Sequence, residues 1–219
     1  MSARTLREKF GAILNGPFNP QQETAASNLA RNTVFELSMA GWLSHKGIPT
    51  AVSHNPDVSC ELADRLLFIQ CKRPFSRRKV ETNIKRACKQ LSADLNFGRD
   101  ARNRGVVAIS MTKAVNPGTR FLQVHTEADL TPALAVQMRD LAAHYVSRFI
   151  SGPRIVGIVF HVSTAAFVED INEYRTAQLL ALCPSTEASR ADRSMLRHVF
   201  LRSRQVADME IHGHSRFHA

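Results

Sequence analysis

The chain has 219 residues, 44% of them hydrophobic, and carries 29 Lys and Arg against 19 Asp and Glu, a net charge of +10. Length and apolar content suit one globular domain with its own core and exclude a disordered chain. No apolar run approaches the roughly 20 residues of a membrane span, so a soluble protein with no membrane partner is expected. The positive excess points to a polyanion, most often nucleic acid.

Residues 1–20 read as an irregular lead-in punctuated by Pro17 and Pro20. Its basic start, MSARTLREKFGAILNGPF, is interrupted by Gly11, Asn15 and Gly16, unlike a secretory signal. A helix is predicted from Gln21 to His45, with Leu29, Phe35, Leu37, Met39, Trp42 and Leu43 on its apolar face and Gly47 and Pro49 ending it. Ile48 to Ser53 reads as a strand. Asp57 to Leu62 and Arg65 to Arg73 read as a hairpin around Ala63-Asp64, stopped by Pro74. A helix follows from Val80 to Leu95, then a buried strand from Arg104 to Met111. Thr131 as N-cap and Pro132 at the first helical position predict a helix reaching Ile150. Arg154 to Val162 is a second buried strand, Ala177 to Leu182 a further one, and Ala191 to Val206 a basic terminal helix. The expected organisation is a lead-in (1–20), one α/β domain with a mixed sheet (21–206) and a flexible tail (207–219).

Four cysteines lack CxxC spacing, which leaves zinc fingers and redox motifs unsupported and makes a reducing cytoplasm the simplest setting. There is no P-loop run, no HExxH and no GxSxG elbow, and His212, His214 and His218 fall in the tail. Between Lys72 and Arg104 eleven Lys and Arg face three acids, a local excess of +8. Charge concentrated in this way suits an anion-binding face.

Alternation along the hairpin has a chemical consequence. With Ala63-Asp64 as a two-residue turn, Leu62 opposes Arg65, Asp57 opposes Gln70, and Asp57, Gln70 and Lys72 share one face. The other face, Val58, Cys60, Leu62, Leu67, Ile69 and Cys71, is apolar throughout, and a one-residue slip would mix the two. Ala-Asp is a poor type I′ turn, so a bulge or longer loop is the competing geometry. An acid, an amide and a lysine converging at a strand end suit metal-assisted phosphodiester hydrolysis. Asp57 can bind a hard cation such as Mg²⁺, the oxygen of Gln70 and the main-chain carbonyl of Cys71 can complete the shell, and Lys72 can orient water and stabilise charge on the phosphate. The competing structural reading is an ordinary strand end with a turn-forming Asp.

Pro56-Asp57 followed by Gln70-Cys71-Lys72 at the end of an apolar strand resembles the PD-(D/E)XK nuclease superfamily, over roughly Val34 to Leu95. That superfamily includes restriction endonucleases, archaeal Holliday-junction resolvases and Mrr-type nucleases. The resemblance implies a restriction-endonuclease-like fold, in which a mixed central sheet is flanked by helices in a single domain. It also implies Mg²⁺ or Mn²⁺ as cofactor and DNA as substrate. Asp57 matches the metal-binding aspartate and Lys72 the lysine. Glu36 matches an additional acid on the first helix, and Gln90 is similar to a glutamine of the RecB-like branch. Gln70 stands where an acid usually stands, a departure that Mrr-type members share. Arg73, Arg77, Arg78, Lys79, Lys85, Arg86 and Lys89 would then grip the phosphate backbone, contacts that carry affinity and no sequence information. Nucleases of this kind often work as homodimers. The alternative function is a catalytically inactive nuclease fold kept for nucleic-acid binding or assembly, for which Gln70 is the main support.

Overall fold

The structure is a computed structural model that describes residues 3–17, 22, 24, 28–97, 100–118, 120–146, 154–201 and 207–210. Helix α1 (Ala3–Leu14) packs on α2 (Leu29–His45). Strands β1 (Thr50–Val52), β2 (Val58–Leu62) and β3 (Arg65–Lys72) lead through a 3-10 turn, Arg77–Lys79, into α3 (Val80–Phe97). After β4 (Arg104–Ser110), the short α4 (Thr112–Val115) and β5 (Leu122–Val124), helix α5 (Leu130–Val146) precedes the long hairpin of β6 (Ile155–Val168) and β7 (Glu173–Pro184). Helix α6 (Arg190–Phe200) and β8 (Ala207–Glu210) complete the described chain.

All eight strands join one mixed sheet in the order β1-β2-β3-β4-β6-β7-β8, with β5 on the far end of β6. β1, β2 and β3 are antiparallel neighbours; β4 runs parallel to both β3 and β6. Because side chains alternate, the sheet buries two apolar faces. On one, Phe68, Val107, Ile109 and Phe160 meet Ile84, Leu91 and Leu95 of α3 and Leu134 and Met138 of α5. On the other, Leu67, Ile69, Val106 and Val159 meet Phe35, Met39 and Leu43 of α2 and Leu196 and Phe200 of α6. Truncating a side chain such as Leu91, fully buried, would cost about 2–5 kcal/mol. The result is a single α/β domain whose central sheet is flanked by helices. Among the described residues no helix is long and apolar enough to cross a membrane.

Several expectations change. The lead-in is not irregular: Ala3–Leu14 is helical despite Gly11, because Lys9 and its neighbours pack on α2. A Cβ at Gly16 would lie 2.1 Å from the Ala30 Cβ, so glycine is what lets the chain leaving α1 cross α2 that closely. Helix α2 begins at Leu29, not Gln21; of residues 21–28 only 22, 24 and 28 are described, and they lie outside it. Its far end is as expected, with Gly47 left-handed at φ 78°. Helix α5 is entered from a capping box on Thr126 and Asp129, whose reciprocal hydrogen bonds start the turn ahead of Thr131. β6 and β7 are longer than expected because each completes the other's hydrogen bonds out to Val168 and Glu173, with Asn172 at φ 52° closing the turn. In the tail, Ala207–Glu210 form a strand beside β7, and 211–219, with the three tail histidines, lie outside the described residues.

Candidate active site

The β2–β3 register is the one alternation predicts: Leu62 opposes Arg65 and Val58 opposes Ile69. The two-residue turn holds without a left-handed φ at Ala63 or Asp64. Upstream of β2 the chain closes on itself, with Ser53 N–H donating to the Asp57 carbonyl (3.2 Å) and Ser53 Oγ to the Pro56 carbonyl (2.5 Å). This turn delivers the Asp57 carboxylate to the end of β3.

Asp57 Oδ2 accepts three hydrogen bonds there: from Gln70 Nε2 (2.6 Å), from the Cys71 N–H (2.8 Å) and from Lys72 Nζ (3.4 Å). Asp57 is 7% exposed and Gln70 1%. With its nitrogen turned to the carboxylate, the Gln70 amide aims Oε1 the other way, where that atom is buried with no hydrogen-bond partner among the described residues. Among the described residues, the hydrogen bonds to the Asp57 carboxylate all fall on Oδ2, which leaves Oδ1 to other ligands. The acid, the amide and the ammonium thus meet on one side of the hairpin. The Cys71 side chain points into the opposite core, where burial pushes its thiol well above the usual range, so only its main chain attends the site.

Glu36 reaches the cluster from α2. Asn28, just ahead of that helix, holds the end of β3 by donating Nδ2 to the Arg73 carbonyl (2.8 Å) and accepting from Arg73 Nη1. This link sets the start of α2, and Glu36 lies two turns further on. Its carboxylate pairs with Lys9 of α1, both nearly buried. Burial is the main cause of a raised Glu36 pKa, the negative charge of Asp57 adds to it, and Lys9 and Lys72 oppose it. Asp94 of α3 is similarly raised, by burial first and then by Asp57, with Lys72 opposing. Asp94 Oδ2 and Gln90 Oε1, one helical turn apart, are both buried without partners among the described residues.

The expected basic residues divide. Arg77, Arg78 and Lys79 are exposed on the turn that follows β3, and Lys85, Arg86 and Lys89 are exposed along α3. Lys85 pairs with Glu81 at 2.7 Å. Arg73 is instead 9% exposed and bound to Asn28, in the wall of the molecule rather than on that open face. Lys9 and Asp94 were not singled out from the sequence. Asp94 had a signal, since it lies four residues beyond Gln90 and beside the apolar stripe Ala87, Leu91 and Leu95. For Lys9 nothing local indicates burial, which comes from the packing of α1 on α2.

Asp57 Oδ1, the orphaned Gln70 Oε1, Glu36 and the Cys71 main-chain carbonyl are oxygen ligands of the kind a hard cation takes. Two carboxylates and an amide make a weaker site than three carboxylates, and among the described residues no group of three His, Cys, Asp or Glu side chains is placed to hold a metal. Comparison with family models, with curated proteins and with solved structures finds no match for this chain.

Proposed function

We propose that this chain is a metal-dependent nuclease that hydrolyses phosphodiester bonds of DNA, on a restriction-endonuclease-like fold. The observation that carries this reading is the convergence of Gln70 and Lys72 on one oxygen of Asp57 at the end of β3, with Glu36 beside them. The mixed sheet flanked by helices and the exposed basic turn directly after the cluster support it.

Asp57, Gln70, Glu36 and the Cys71 carbonyl would hold Mg²⁺ or Mn²⁺. When bound, the cation activates water and neutralises charge building on the phosphate. Lys72, 15% exposed at its side chain, has donors to spare for a phosphate oxygen or for the attacking water. Water attacks phosphorus in line and gives up a proton to solvent as the bond to the leaving oxygen breaks, and that oxygen takes up a proton from solvent. Arg77, Arg78 and Lys79 hold the backbone by charge, and Lys85, Arg86 and Lys89 extend the grip along α3.

The test is cleavage of plasmid DNA with Mg²⁺ or Mn²⁺ by the wild-type chain and by Asp57→Asn and Lys72→Ala. Each substitution is expected to lower the rate by about 10²–10³-fold, the usual cost of removing one group that stabilises developing charge. Rates unchanged in both variants would refute the site.

A second reading, a nuclease fold retained for binding alone, is favoured by one observation: Lys9 already neutralises Glu36 while Gln70 contributes no charge. It requires salt-dependent DNA binding without cleavage under any divalent metal, and no gain of activity in Gln70→Glu.

A further inference from the structure

Between α2 and the sheet lies a cavity of about 290 Å³. It opens on the face of the sheet that carries Cys71, across from the face of Gln70 and Lys72. We propose that it is a binding site, separate from the acid–lysine cluster, for a small organic anion built on an aromatic ring, the chemistry shared by a nucleoside monophosphate and an aromatic carboxylate. The proposal does not depend on the nuclease reading.

The cavity begins where this face of the sheet changes character. Cys71, Ala108, Val159 and Leu182 are partners across β3, β4, β6 and β7, and all four are buried and apolar. Paired residues share a face, and so do residues two apart along a strand. The next row on the same face is Ser110, His161 and Leu180, and the row after it is Ser163 and Gln178. These five line the cavity, and α2 closes it with Phe35, Met39 and Trp42. Its place, beyond the carboxyl end of β4, is where open α/β sheets commonly hold ligands. The volume is at the small end of ligand pockets, roughly 300–1,000 Å³, which suits one small molecule and no polymer.

Two side chains of the wall are unexplained by packing. Trp42 Nε1 and His161 Nδ1 are both buried with no hydrogen-bond partner among the described residues. Buried polar atoms are nearly always paired, so two orphans around one cavity point to a ligand that pairs them. Burial holds His161 down to about 4, so its ring is neutral near pH 7 and offers one donor and one acceptor. The His161 ring is held in place by Phe35, stacked on it at 5.6 Å. Phe35, Met39, Trp42 and Leu180 give the wall the apolar and aromatic surface that a ring needs. Arg31 and Arg73 add positive charge, and no Asp or Glu lines the cavity, so the ring should carry an anionic group.

Trp42 is the only tryptophan of the chain, so its fluorescence reports on the cavity directly. The full chain in EDTA near pH 7 is titrated with adenosine monophosphate, phenylacetate, adenosine and inorganic phosphate, and calorimetry accompanies the fluorescence. Adenosine monophosphate or phenylacetate is expected to change the Trp42 signal saturably with a Kd below about 100 μM, and the tighter of the two identifies the source of the anion. Adenosine and phosphate should each bind at least about 10-fold more weakly than that ligand, since each lacks one half of it. His161→Phe keeps a ring against Phe35 and removes the ring nitrogens; it should melt no lower than the wild-type chain and weaken binding at least about 10-fold. Where it melts well below the wild-type chain, Gln178→Trp, at an exposed position of the cavity mouth, is read for the same loss. Lys72→Ala, on the other face of the sheet, should leave the Kd unchanged. Millimolar binding of both anions would leave the cavity to water and overturn the proposal. So would adenosine or phosphate binding as tightly as the anion, or calorimetric binding without a Trp42 response. A Kd untouched by the cavity substitutions, or lost in Lys72→Ala, would place the anion elsewhere and overturn it equally. None of these outcomes bears on DNA cleavage, so the nuclease reading stands or falls separately.

Discussion

Asp57 Oδ2 accepts from an amide, a backbone N–H and an ammonium in a nearly buried place. Gln70 is neutral, so it adds no charge to that of Asp57. Gln70→Glu would set a second buried carboxylate against Asp57. The expected outcome is a loss of about 2 kcal/mol in EDTA and a larger stabilisation by Mg²⁺ than the wild-type chain shows, read by thermal unfolding in both conditions. Equal metal response in the two proteins would count against Gln70 as a ligand. Glu36 supplies the pH dependence. Its folded pKa is raised, so between the unfolded and folded values the native state binds more protons, and its contribution to stability falls as pH rises through that window. Lys9→Met removes an opposing charge and should raise the Glu36 pKa further. Mn²⁺ binding, which needs the carboxylate, is then expected to begin at higher pH than in the wild-type chain. An unchanged or lower midpoint in a pH series of Mn²⁺ titrations would show that Lys9 does not act on Glu36.

At the scale of elements, the parts legible in the sequence are those with a strict local period. The apolar alternation of Val58, Cys60, Leu67 and Ile69 specifies the β2–β3 register, and with it the meeting of Asp57, Gln70 and Lys72. Elements set by distant partners were not legible. α1 is marked only by packing on α2, β5 by pairing with the far end of β6, and β8 by pairing with β7. Another such partner is the tie between α6 and the sheet. Ser189 caps α6 by accepting from Asp192 N–H (3.1 Å), and its Oγ donates to Asp192 Oδ2 (2.7 Å). Arg104 Nε reaches Asp192 Oδ1 at 2.9 Å and Arg65 Nη1 reaches it at 3.5 Å. Asp192→Ala would leave two half-buried arginines facing each other and remove the carboxylate to which the capping Ser189 Oγ donates. A loss of about 3 kcal/mol in urea unfolding is expected, and a loss under 0.5 kcal/mol would show the network to be dispensable. At Gly157, where α6 crosses β6, a Cβ would lie 2.9 Å from the Cys183 carbonyl oxygen, so the tight approach of the strands there requires glycine.

For the whole molecule, charge and architecture agree. The acid–lysine cluster sits where β3 ends, and the chain turns at once into Arg77, Arg78 and Lys79 and then into α3 with its exposed Lys85, Arg86 and Lys89. Composition alone showed the basic excess. A cavity on the α2 side of the sheet was not legible, because its wall draws on α2, β4, β6 and β7, which are far apart in sequence. Each phosphate contact contributes about 0.9 to the slope of log binding constant against log salt. Replacing Arg77, Arg78 and Lys79 together by Ala should lower that slope by about 2–3, measured on duplex DNA between roughly 50 and 200 mM salt. An unchanged slope would place the DNA elsewhere. The central claim is that Asp57, Gln70, Lys72 and Glu36 form a phosphodiesterase centre. It is tested most directly by the single-turnover rate of DNA cleavage as a function of Mg²⁺ concentration, for the wild-type chain and for Asp57→Asn at equal folded concentration. A rate that rises with Mg²⁺ to a plateau and falls at least about 100-fold in Asp57→Asn is expected; cleavage indifferent to both the metal and the substitution would contradict it.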